Sequence, residues 1–310
     1  MELRTRRAAS FALVALTLIW GSNWLAMKVA LSRADPIVYN IERTWVAIAV
    51  LFAVMAWQRR LALPPAWWPV MVAGFFQITV NFGSTVMALA DGGVGRTSVL
   101  VFTMPFWTLI LAWPVLGERV RGTLWFAVGF ALLGLLLVVE PWRWEGDLTP
   151  KLWAVLSGFG WAAGTVATKY YQARHRLDLL NFLAWQMLLG VLPLTPLVWL
   201  MDLPASNWDL VYVATMFWTS VVSIAFGFLL WIALLQRLPA GTVSLNAFAI
   251  PVIALISSMV VLGERLTRSE ELGIACIVVG LAILSWRTFA SGARGDVGDA
   301  RTLPQPLDGR

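Results

Sequence analysis

The sequence predicts an all-α integral membrane protein with ten transmembrane helices, arranged as two inverted five-helix repeats. Three observations support this fold class. The chain of 310 residues is 59% hydrophobic and 13% charged, whereas soluble domains carry about 25% charged residues. Apolar runs of roughly 20 residues, the length that crosses a bilayer as a helix, recur along the chain. The segment VLGER occurs at 115–119 and again at 261–265, each time after an apolar run that contains a proline.

The apolar runs are separated by short segments that are typical of helix ends, such as ADGGVGR and PWRWEGDLTP. The runs are about twice too long for the strands of a membrane β-barrel, and they do not alternate. The first run follows Arg4, Arg6 and Arg7, as in a signal peptide, but no small-residue cleavage site comes after it. The predicted spans cover residues 10–31, 37–57, 66–88, 94–114, 121–139, 151–171, 179–200, 209–231, 241–262 and 269–287.

The basic residues predict that both termini lie in the cytoplasm. In this orientation fourteen Lys and Arg residues fall in cytoplasmic segments and seven in outer segments, in agreement with the positive-inside rule. Residues 1–9 would then form a cytoplasmic N-terminus. Residues 288–310 lack apolar periodicity, and we expect them to form a disordered cytoplasmic tail.

The internal repeat extends well beyond VLGER. The segment PFWTLILAWPVLGER at 105–119 aligns with PVIALISSMVVLGER at 251–265. Near the start of each half, WGSNWLAMK at 20–28 aligns with WAAGTVATK at 161–169. The two alignments place equivalent residues about 141 to 146 positions apart, so the chain contains two copies of one unit.

Each repeat contains five predicted spans, the first within residues 10–140 and the second within residues 147–287. Since five is odd, the second repeat must enter the membrane from the opposite side. The two VLGER turns therefore face opposite sides of the bilayer. Inverted repeats of this kind are typical of transporters that open alternately to the two sides of a membrane.

Taken together, these features resemble the EamA-type family of the drug/metabolite transporter superfamily. The resemblance rests on WGSNWLAMK in the first span, on the LGER turns after spans 4 and 9, and on two five-span halves, and it covers about residues 10–287. It implies a central cavity between the repeats, lined mainly by spans 1, 3, 4, 6, 8 and 9, with spans 5 and 10 at the periphery. It also implies export of amino acids, other small metabolites or drugs across the bacterial inner membrane.

Polar side chains within the spans are candidate substrate-binding residues. Gln77 and Asn81 are four residues apart and share one face of span 3, and this face must avoid lipid. Hydrogen bonds between helices are the alternative explanation for this face. The other polar candidates are Asn23, Thr219, Ser223 and Asn246.

Three of the 19 tryptophans are candidates for the walls of a binding pocket. Most tryptophans of a membrane protein lie at the interfaces with water, but Trp20, Trp107 and Trp161 are predicted to lie deeper. They would suit an aromatic or amphipathic substrate, or an organic cation held by the ring faces. Packing against lipid is the alternative explanation.

Pro105 and Pro251 are candidate hinge residues, because matched interruptions in the two halves often mark the binding region of a transporter. Each would lie about ten residues into its span and free a backbone carbonyl one turn earlier. A kink that serves only packing is the alternative.

Charged residues in or next to the spans are further candidates for a role in transport or in helix capping. Glu42 and Arg43 open span 2, where an arginine resembles the family pattern and is consistent with a gating role. Local pairing or solvation near the outer surface is the alternative. Glu118 and Glu264, in the two VLGER turns, are expected to cap a helix or to pair locally.

Several functions and cofactors are disfavoured. Mid-depth carboxylates are absent from the spans predicted to line the cavity, which argues against a proton-coupled antiporter of cationic drugs. The single Cys276 and the single His175 form neither a metal cluster nor a catalytic constellation, so we predict no metal, no cofactor and no enzyme activity. The net charge of +6 is spread over short loops, as in membrane proteins, and does not indicate a nucleic-acid partner.

The predicted function is therefore secondary transport in the inner membrane. The carrier would export a small metabolite, an amino acid or an aromatic or amphipathic compound, by alternating access. Its predicted partners are this small-molecule substrate and the lipid bilayer, and the sequence does not define an oligomeric state. The alternatives are efflux of drugs or organic cations, uptake instead of export and, remotely, a membrane protein without transport activity.

Overall fold

The computed structural model describes residues 6–64, 66–117, 122, 124–140, 148–172, 178–230 and 249–298. Within these residues the regular secondary structure is entirely helical, which confirms the predicted class. The helices are α1 Arg6–Ala30, α2 Pro36–Trp57, α3 Trp67–Asp91, α4 Val94–Leu116, α5 Leu124–Val139, α6 Thr149–Gln172, α7 Leu179–Val191, α8 Leu210–Leu230, α9 Ala249–Val261 and α10 Arg268–Gly298, with one further helical turn at Leu197–Leu200.

Among the described residues, five helices are long and apolar enough to cross a membrane, namely α1 to α4 and α8. Helices α5, α7 and α9 are apolar but shorter than a full span. Helix α6 carries Lys151 and Lys169, and α10 carries Glu270 and Glu271 in its first turn. Five crossings thus agree with the prediction, and the total of ten remains a prediction.

Two helices differ from the predicted boundaries. Helix α7 ends at Val191 instead of residue 200, because Pro193 and Pro196 remove backbone N–H donors and clash with the preceding turn. Helix α10 continues to Gly298, eleven residues beyond its predicted end. Its extension, TFASGARGDVG, contains no proline that would stop a helix already in progress. The rest of the predicted tail lies outside the described residues.

Helices α3 and α8 each contain a π-helical segment. The segments are Phe75–Phe82 in α3 and Phe217–Phe226 in α8. These positions are equivalent in the two repeats, since span 8 follows span 3 at an offset of roughly 140 to 146 residues. Segments of π-helix are rare, and they are frequent at functional sites. The two repeats therefore share an irregular segment at equivalent positions.

Helix α4 consists of two segments, Val94–Val101 and Met104–Leu116. Pro105 lies in the first turn of the second segment, where a missing N–H leaves no hydrogen bond unmade. The Thr103 hydroxyl donates to the carbonyl oxygen of Leu100 at 2.6 Å and so satisfies one of the interrupted backbone groups. Pro251 is buried near the start of α9, and the residues directly before α9 are not among those described.

Glycines allow close contacts between the helices. A Cβ atom on Gly160 of α6 would lie 2.9 Å from the backbone nitrogen of Asn81, within the π-helical segment of α3. Helices α5 and α10 pack on each other through Gly134 and Gly273, each facing the backbone of the other helix. Small residues at such crossings are typical of membrane helix pairs, which lack a hydrophobic driving force in lipid.

The second VLGER turn joins the two repeats. The Glu264 carboxylate accepts hydrogen bonds from the backbone N–H groups of Val94, at 2.6 Å, and Gly95, at 3.1 Å. These N–H groups belong to the first turn of α4, so Glu264 caps a helix of the other repeat. Capping of a helix agrees with one of the two expectations for Glu264, but the capped helix belongs to the other repeat and the contact is not local. Glu118, its counterpart in the first VLGER turn, lies outside the described residues.

Two ion pairs also join the two repeats. Arg96, on α4, forms an ion pair with Glu270 of α10 at 2.8 Å. Arg33, in the loop after α1, forms an ion pair with Asp209, also at 2.8 Å. The pKa of Asp209 lies below its usual value, because the carboxylate accepts a hydrogen bond from the Tyr212 N–H and another from Arg33. One pair thus links the start of α4 to the start of α10, and the other links the loop after α1 to the start of α8.

Candidate functional site

A cavity of about 200 Å³ lies between the two repeats. Helices α1 to α4 of the first repeat and α6, α8 and α9 of the second contribute to its walls. Among the described residues, neither α5 nor α10 contributes. The lining residues are Trp20, Asn23, Trp24, Met27, Arg43, Asn81, Phe82, Thr85, Val101, Phe102, Met104, Trp161, Ser223, Ile224, Phe228 and Ile250.

One wall of the cavity is aromatic and joins both repeats. Phe228 of α8 stacks on Trp161 of α6 with ring centroids 6.4 Å apart, and its centroid is 5.6 Å from that of Trp20 on α1. The indole N–H of Trp20 donates to the carbonyl oxygen of Ser223, in the π-helical segment of α8, at 3.1 Å. This hydrogen bond fixes the orientation of the ring. The three rings offer a rigid apolar surface to a bound solute.

A polar wall is built on the π-helical segment of α3. The side-chain amide of Asn81 donates to the Ser157 hydroxyl at 2.8 Å and to the Ser157 carbonyl oxygen at 2.9 Å. The Thr85 hydroxyl hydrogen-bonds to the same Ser157 hydroxyl, at 2.6 Å. Ser157 lies on α6, so this buried network ties α3 to α6 and sets the position of Asn81 at the edge of the cavity.

Arg43 brings a positive charge into the cavity. It lies seven residues after Pro36 at the start of α2, roughly 10 Å along the helix axis, and it is only 3% exposed. Its guanidinium carbon lies 4.7 Å from the centre of the Phe82 ring and 5.4 Å from that of Tyr39. Its Nε donates to the side-chain oxygen of Asn40 at 3.1 Å. The ordinary alternative of a solvated surface arginine does not fit this position.

The sulfur of Met27 is shared by two donors. It accepts from Nη1 of Arg43 at 2.8 Å and from the side-chain amide of Asn23 at 3.4 Å. A thioether is a weak acceptor, so both donors are poorly satisfied. The side-chain oxygen of Asn23 is buried and has no hydrogen-bond partner among the described residues. Asn23, Met27 and Arg43 thus form a polar cluster with unused hydrogen-bonding capacity.

No Asp or Glu is among the described residues that line the cavity. The ion pairs within the described residues join Arg33 to Asp209, Arg96 to Glu270 and Lys151 to Glu140, and none includes Arg43. Glu42, the neighbour of Arg43 in sequence, accepts hydrogen bonds from Tyr212 and Ser206 instead. The lining residues that the structure describes therefore carry one formal charge, which is positive.

The structure brings together about half of the residues that the sequence singles out. Trp20, Asn23, Asn81, Trp161 and Ser223 line the cavity, as does Arg43. Gln77, Trp107, Thr219, Glu42, Pro105 and Pro251 are not among the lining residues. Asn246 lies outside the described residues.

Three of the six candidates away from the cavity were predicted to bind substrate, and they lie in contacts between or within helices. Gln77 accepts a hydrogen bond from the side-chain amide of Gln186 on α7, at 3.4 Å. The indole N–H of Trp107 donates to the Thr103 hydroxyl at 3.2 Å. Thr219 is completely buried. These positions fit the interhelical alternative that the sequence leaves open for Gln77.

Sequence reasoning missed Met27, Phe102 and Phe228. A signal for Met27 is present, because Trp20, Asn23 and Met27 follow the i, i+3, i+7 spacing of one helical face. Phe102 and Phe228 are two of 16 phenylalanines in apolar runs, and no local pattern distinguishes them from residues that face lipid.

We expect a cysteine at position 223 to react with a small methanethiosulfonate reagent in a Cys276→Ser background. Ser223 lines the cavity, whereas Ser220, in the same π-helical segment, is completely buried and does not line it. Ser220→Cys is therefore the matched control and should remain unlabelled. Labelling is measured by intact mass of the purified protein. Equal labelling of the two variants would contradict the assignment of Ser223 to the cavity wall.

No group of His, Cys, Asp and Glu side chains that could hold a metal ion occurs within the described part of the chain. The described groups that line the cavity are aromatic rings, aliphatic and thioether side chains, amides, hydroxyls and one guanidinium. This set binds organic solutes by stacking and hydrogen bonding.

Comparison with known proteins identifies similar sequences over nearly the whole chain. The model of a family described as the EamA-like transporter family matches residues 7–140 and again residues 149–286. The uncharacterized transporter YvbV of Bacillus subtilis is 28% identical over 297 residues, which cover 94% of this chain and 95% of that protein. The probable amino-acid metabolite efflux pump of Escherichia coli is 24% identical over 291 residues, which cover 88% of this chain and 94% of that protein.

A protein of known crystal structure shares the fold. It superposes with a TM-score of 0.60 at 20% sequence identity, and the match covers 90% of this chain and 98% of the other. At this identity the likeness concerns the fold.

Proposed function

The chain belongs to the EamA-like transporter family, and we propose that it is a secondary transporter of the bacterial inner membrane that exports a small metabolite by alternating access. The proposed substrate is either an amino acid or an aromatic or amphipathic compound. In this proposal both termini lie in the cytoplasm, and Pro105 and Pro251 form the hinge pair between the moving segments. Glu42 and Arg43 take part in gating.

The observation that carries the proposal is the cavity between the repeats. Its walls come from both repeats, so a relative movement of the two halves would change access to a bound solute. The volume of about 200 Å³ lies below the range of about 300–1,000 Å³ typical of pockets for drug-sized ligands. This size favours a small metabolite over a large drug.

The positive charge of Arg43 argues against the alternative function, efflux of organic cations. A cationic substrate would approach Arg43 in a low-dielectric space, and the described part of the lining contains no carboxylate. Repulsion between like charges is strong there, although the aromatic rings alone would attract a cation. The balance favours a neutral, zwitterionic or anionic solute. The name of the Escherichia coli relative, an amino-acid metabolite efflux pump, agrees with this class.

The proposal is tested by counterflow in liposomes that contain the purified protein. Liposomes are preloaded with one unlabelled amino acid, and entry of the same labelled amino acid is compared with entry into protein-free liposomes. The panel covers aromatic and aliphatic amino acids. Faster entry of at least one member is expected, and the absence of counterflow for every member would contradict the proposal.

Replacing Trp161 by alanine is expected to weaken the apparent affinity for an aromatic substrate about tenfold. The change removes one ring of the aromatic wall, and contacts of this kind contribute about 0.5–1.5 kcal/mol beyond the area they bury. Trp199→Ala is the matched control, because Trp199 is 76% exposed and lies away from the cavity. Concentration dependence of counterflow measures both variants. Equal effects would remove Trp161 from the binding wall.

A further inference from the structure

We propose that Arg43 binds the carboxylate group of the transported solute, and that the substrate is therefore an organic acid or amino acid with an apolar or aromatic body. This inference rests on the proposed transport function. It assigns to Arg43 a role in binding, in addition to gating, and defines the chemistry that the cavity selects.

The first argument is the surroundings of the guanidinium. A buried cation without a counter-ion is strongly disfavoured unless other groups replace its hydration. Within the described residues Arg43 has no carboxylate partner, and two ring faces, one amide oxygen and one thioether surround it. These groups compensate only part of the lost hydration. A carboxylate that enters the cavity would supply the missing negative charge.

The second argument is the acceptor that Arg43 uses. Nη1 donates to the Met27 sulfur, which is a weak acceptor and belongs to an unbranched, flexible side chain. A carboxylate oxygen is a much stronger acceptor, and arginine pairs with carboxylates through two parallel hydrogen bonds. Exchange of the sulfur for a carboxylate would improve the bonding of Arg43. Met27 and Arg43 both line the cavity, so the exchange would occur there.

The third argument is the arrangement of the other groups. Asn23 shares the Met27 sulfur with Arg43, and its buried side-chain oxygen has no partner in the described part of the chain. This oxygen would accept a hydrogen bond from the ammonium group of an α-amino acid bound to Arg43. The rings of Trp20, Phe228 and Trp161 would hold an apolar body.

Both a simple carboxylate and an α-amino acid contain the group that Arg43 would bind. Three compounds with the same phenyl group distinguish these two substrate classes. They are L-phenylalanine, 3-phenylpropionate, which lacks the amine, and 2-phenylethylamine, which lacks the carboxylate. Binding of each to the full-length protein in detergent is measured by calorimetry and by thermal shift. A ligand at 100 times its dissociation constant stabilises a protein by about 2.7 kcal/mol, which a thermal shift detects.

We expect at least one of the two carboxylates to bind at least tenfold more tightly than 2-phenylethylamine. Binding of L-phenylalanine alone would identify an amino-acid site, with Asn23 holding the ammonium. Binding of both carboxylates would identify a site for organic acids in general. Binding of the amine as tightly as the carboxylates, or binding of neither carboxylate, would overturn the proposal.

Variants of Arg43 give the second test. Arg43→Gln should raise the dissociation constant for the bound carboxylate at least tenfold, and Arg43→Lys, which keeps the charge but loses the two parallel bonds, should have a smaller effect. Arg33→Gln is the matched control, because it removes the same charge from a half-exposed ion pair away from the cavity, and it should bind as the wild type does. Unchanged carboxylate binding by folded Arg43→Gln would overturn the proposal. If that variant does not fold, Arg43→Lys and the three compounds on the wild type decide.

Failure of this inference is distinguishable from failure of the transport function. Counterflow of a neutral or amine compound by the wild type, unaffected by Arg43→Lys, would leave the transporter in place and remove the carboxylate site. Absence of counterflow for every compound would remove the transport function itself.

Discussion

Replacing Glu264 by glutamine is expected to lower counterflow at least tenfold and to reduce thermal stability. The Glu264 carboxylate accepts two hydrogen bonds from the first turn of α4, in the other repeat. A hydrogen bond to a charged group contributes about 1.5–3 kcal/mol, and the positive end of the helix dipole adds to the attraction. Glutamine keeps one acceptor oxygen but places an NH₂ group opposite a backbone N–H.

The consequence for transport follows from the position of the bond. It links the α9–α10 turn to α4, so it holds the two repeats together at one end of the molecule. Alternating access requires the two ends to close in turn, and a loss of about 1.4 kcal/mol from one closed state changes its population tenfold. Melting of the purified protein and initial rates of counterflow measure the two effects.

Glu271→Gln is the matched control for this prediction. Glu271 is exposed in the first turn of α10, so its replacement removes the same charge from the same region without a contact to α4. We expect this variant to transport and melt as the wild type does. Wild-type transport by Glu264→Gln would show that the contact between the repeats has no part in closure.

The sequence predicts the helical class and the repeat well, because both depend on patterns that extend over many residues. Apolar length identifies membrane helices from composition alone, and the two VLGER segments are recognisable at a distance of 146 positions. The role of Glu264 could be predicted from the sequence only in part. A turn sequence specifies a charged residue next to a helix end, but the helix that it caps lies in the other repeat and is determined by tertiary packing.

The π-helical segments explain why the candidate site was only partly predictable. Gln77 and Asn81 share a face if α3 is a regular α-helix, but the wider turn of Phe75–Phe82 changes the directions of their side chains. Gln77 consequently contacts Gln186, and Asn81 lies at the cavity. Propensity rules give no signal for a π-helix. A helical wheel therefore misplaces residues in this segment.

Arg43 shows a second limit of sequence reasoning. A charge near the predicted start of a span is ordinarily solvated or paired at the surface. Whether it instead enters the bundle depends on the exact start of α2 and on the rings of Tyr39 and Phe82, one of which belongs to another helix. The sequence placed the residue in the right span but did not reveal its environment.

Replacing Gly160 by leucine is expected to abolish transport and to lower the melting temperature by at least about 2 °C. Even a Cβ atom at this position would lie 2.9 Å from the backbone nitrogen of Asn81 and 3.0 Å from the carbonyl oxygen of Phe76. Backbone atoms of a packed helix cannot move aside independently, so α6 and α3 must separate. Overpacking of this kind destabilises by about 1–3 kcal/mol, and about 1 kcal/mol shifts the melting temperature of a domain of this size by roughly 2–4 °C.

The separation would also alter the cavity, because Asn81 and its bonds to Ser157 join the same two helices. Gly129→Leu is the matched control: Gly129 lies in the interior of α5, and apart from its chain neighbours and the backbone of its own helix no atom lies within 4 Å of a Cβ placed there. This variant should keep wild-type transport and stability, since leucine also has the higher helix propensity. If Gly160→Leu transports normally while Gly129→Leu does not, the close contact of α6 with the π-helical segment does not support the site. Loss of transport in Gly160→Leu together with normal transport in Gly129→Leu, which is the expected result, would show that the cavity depends on this glycine contact between the repeats.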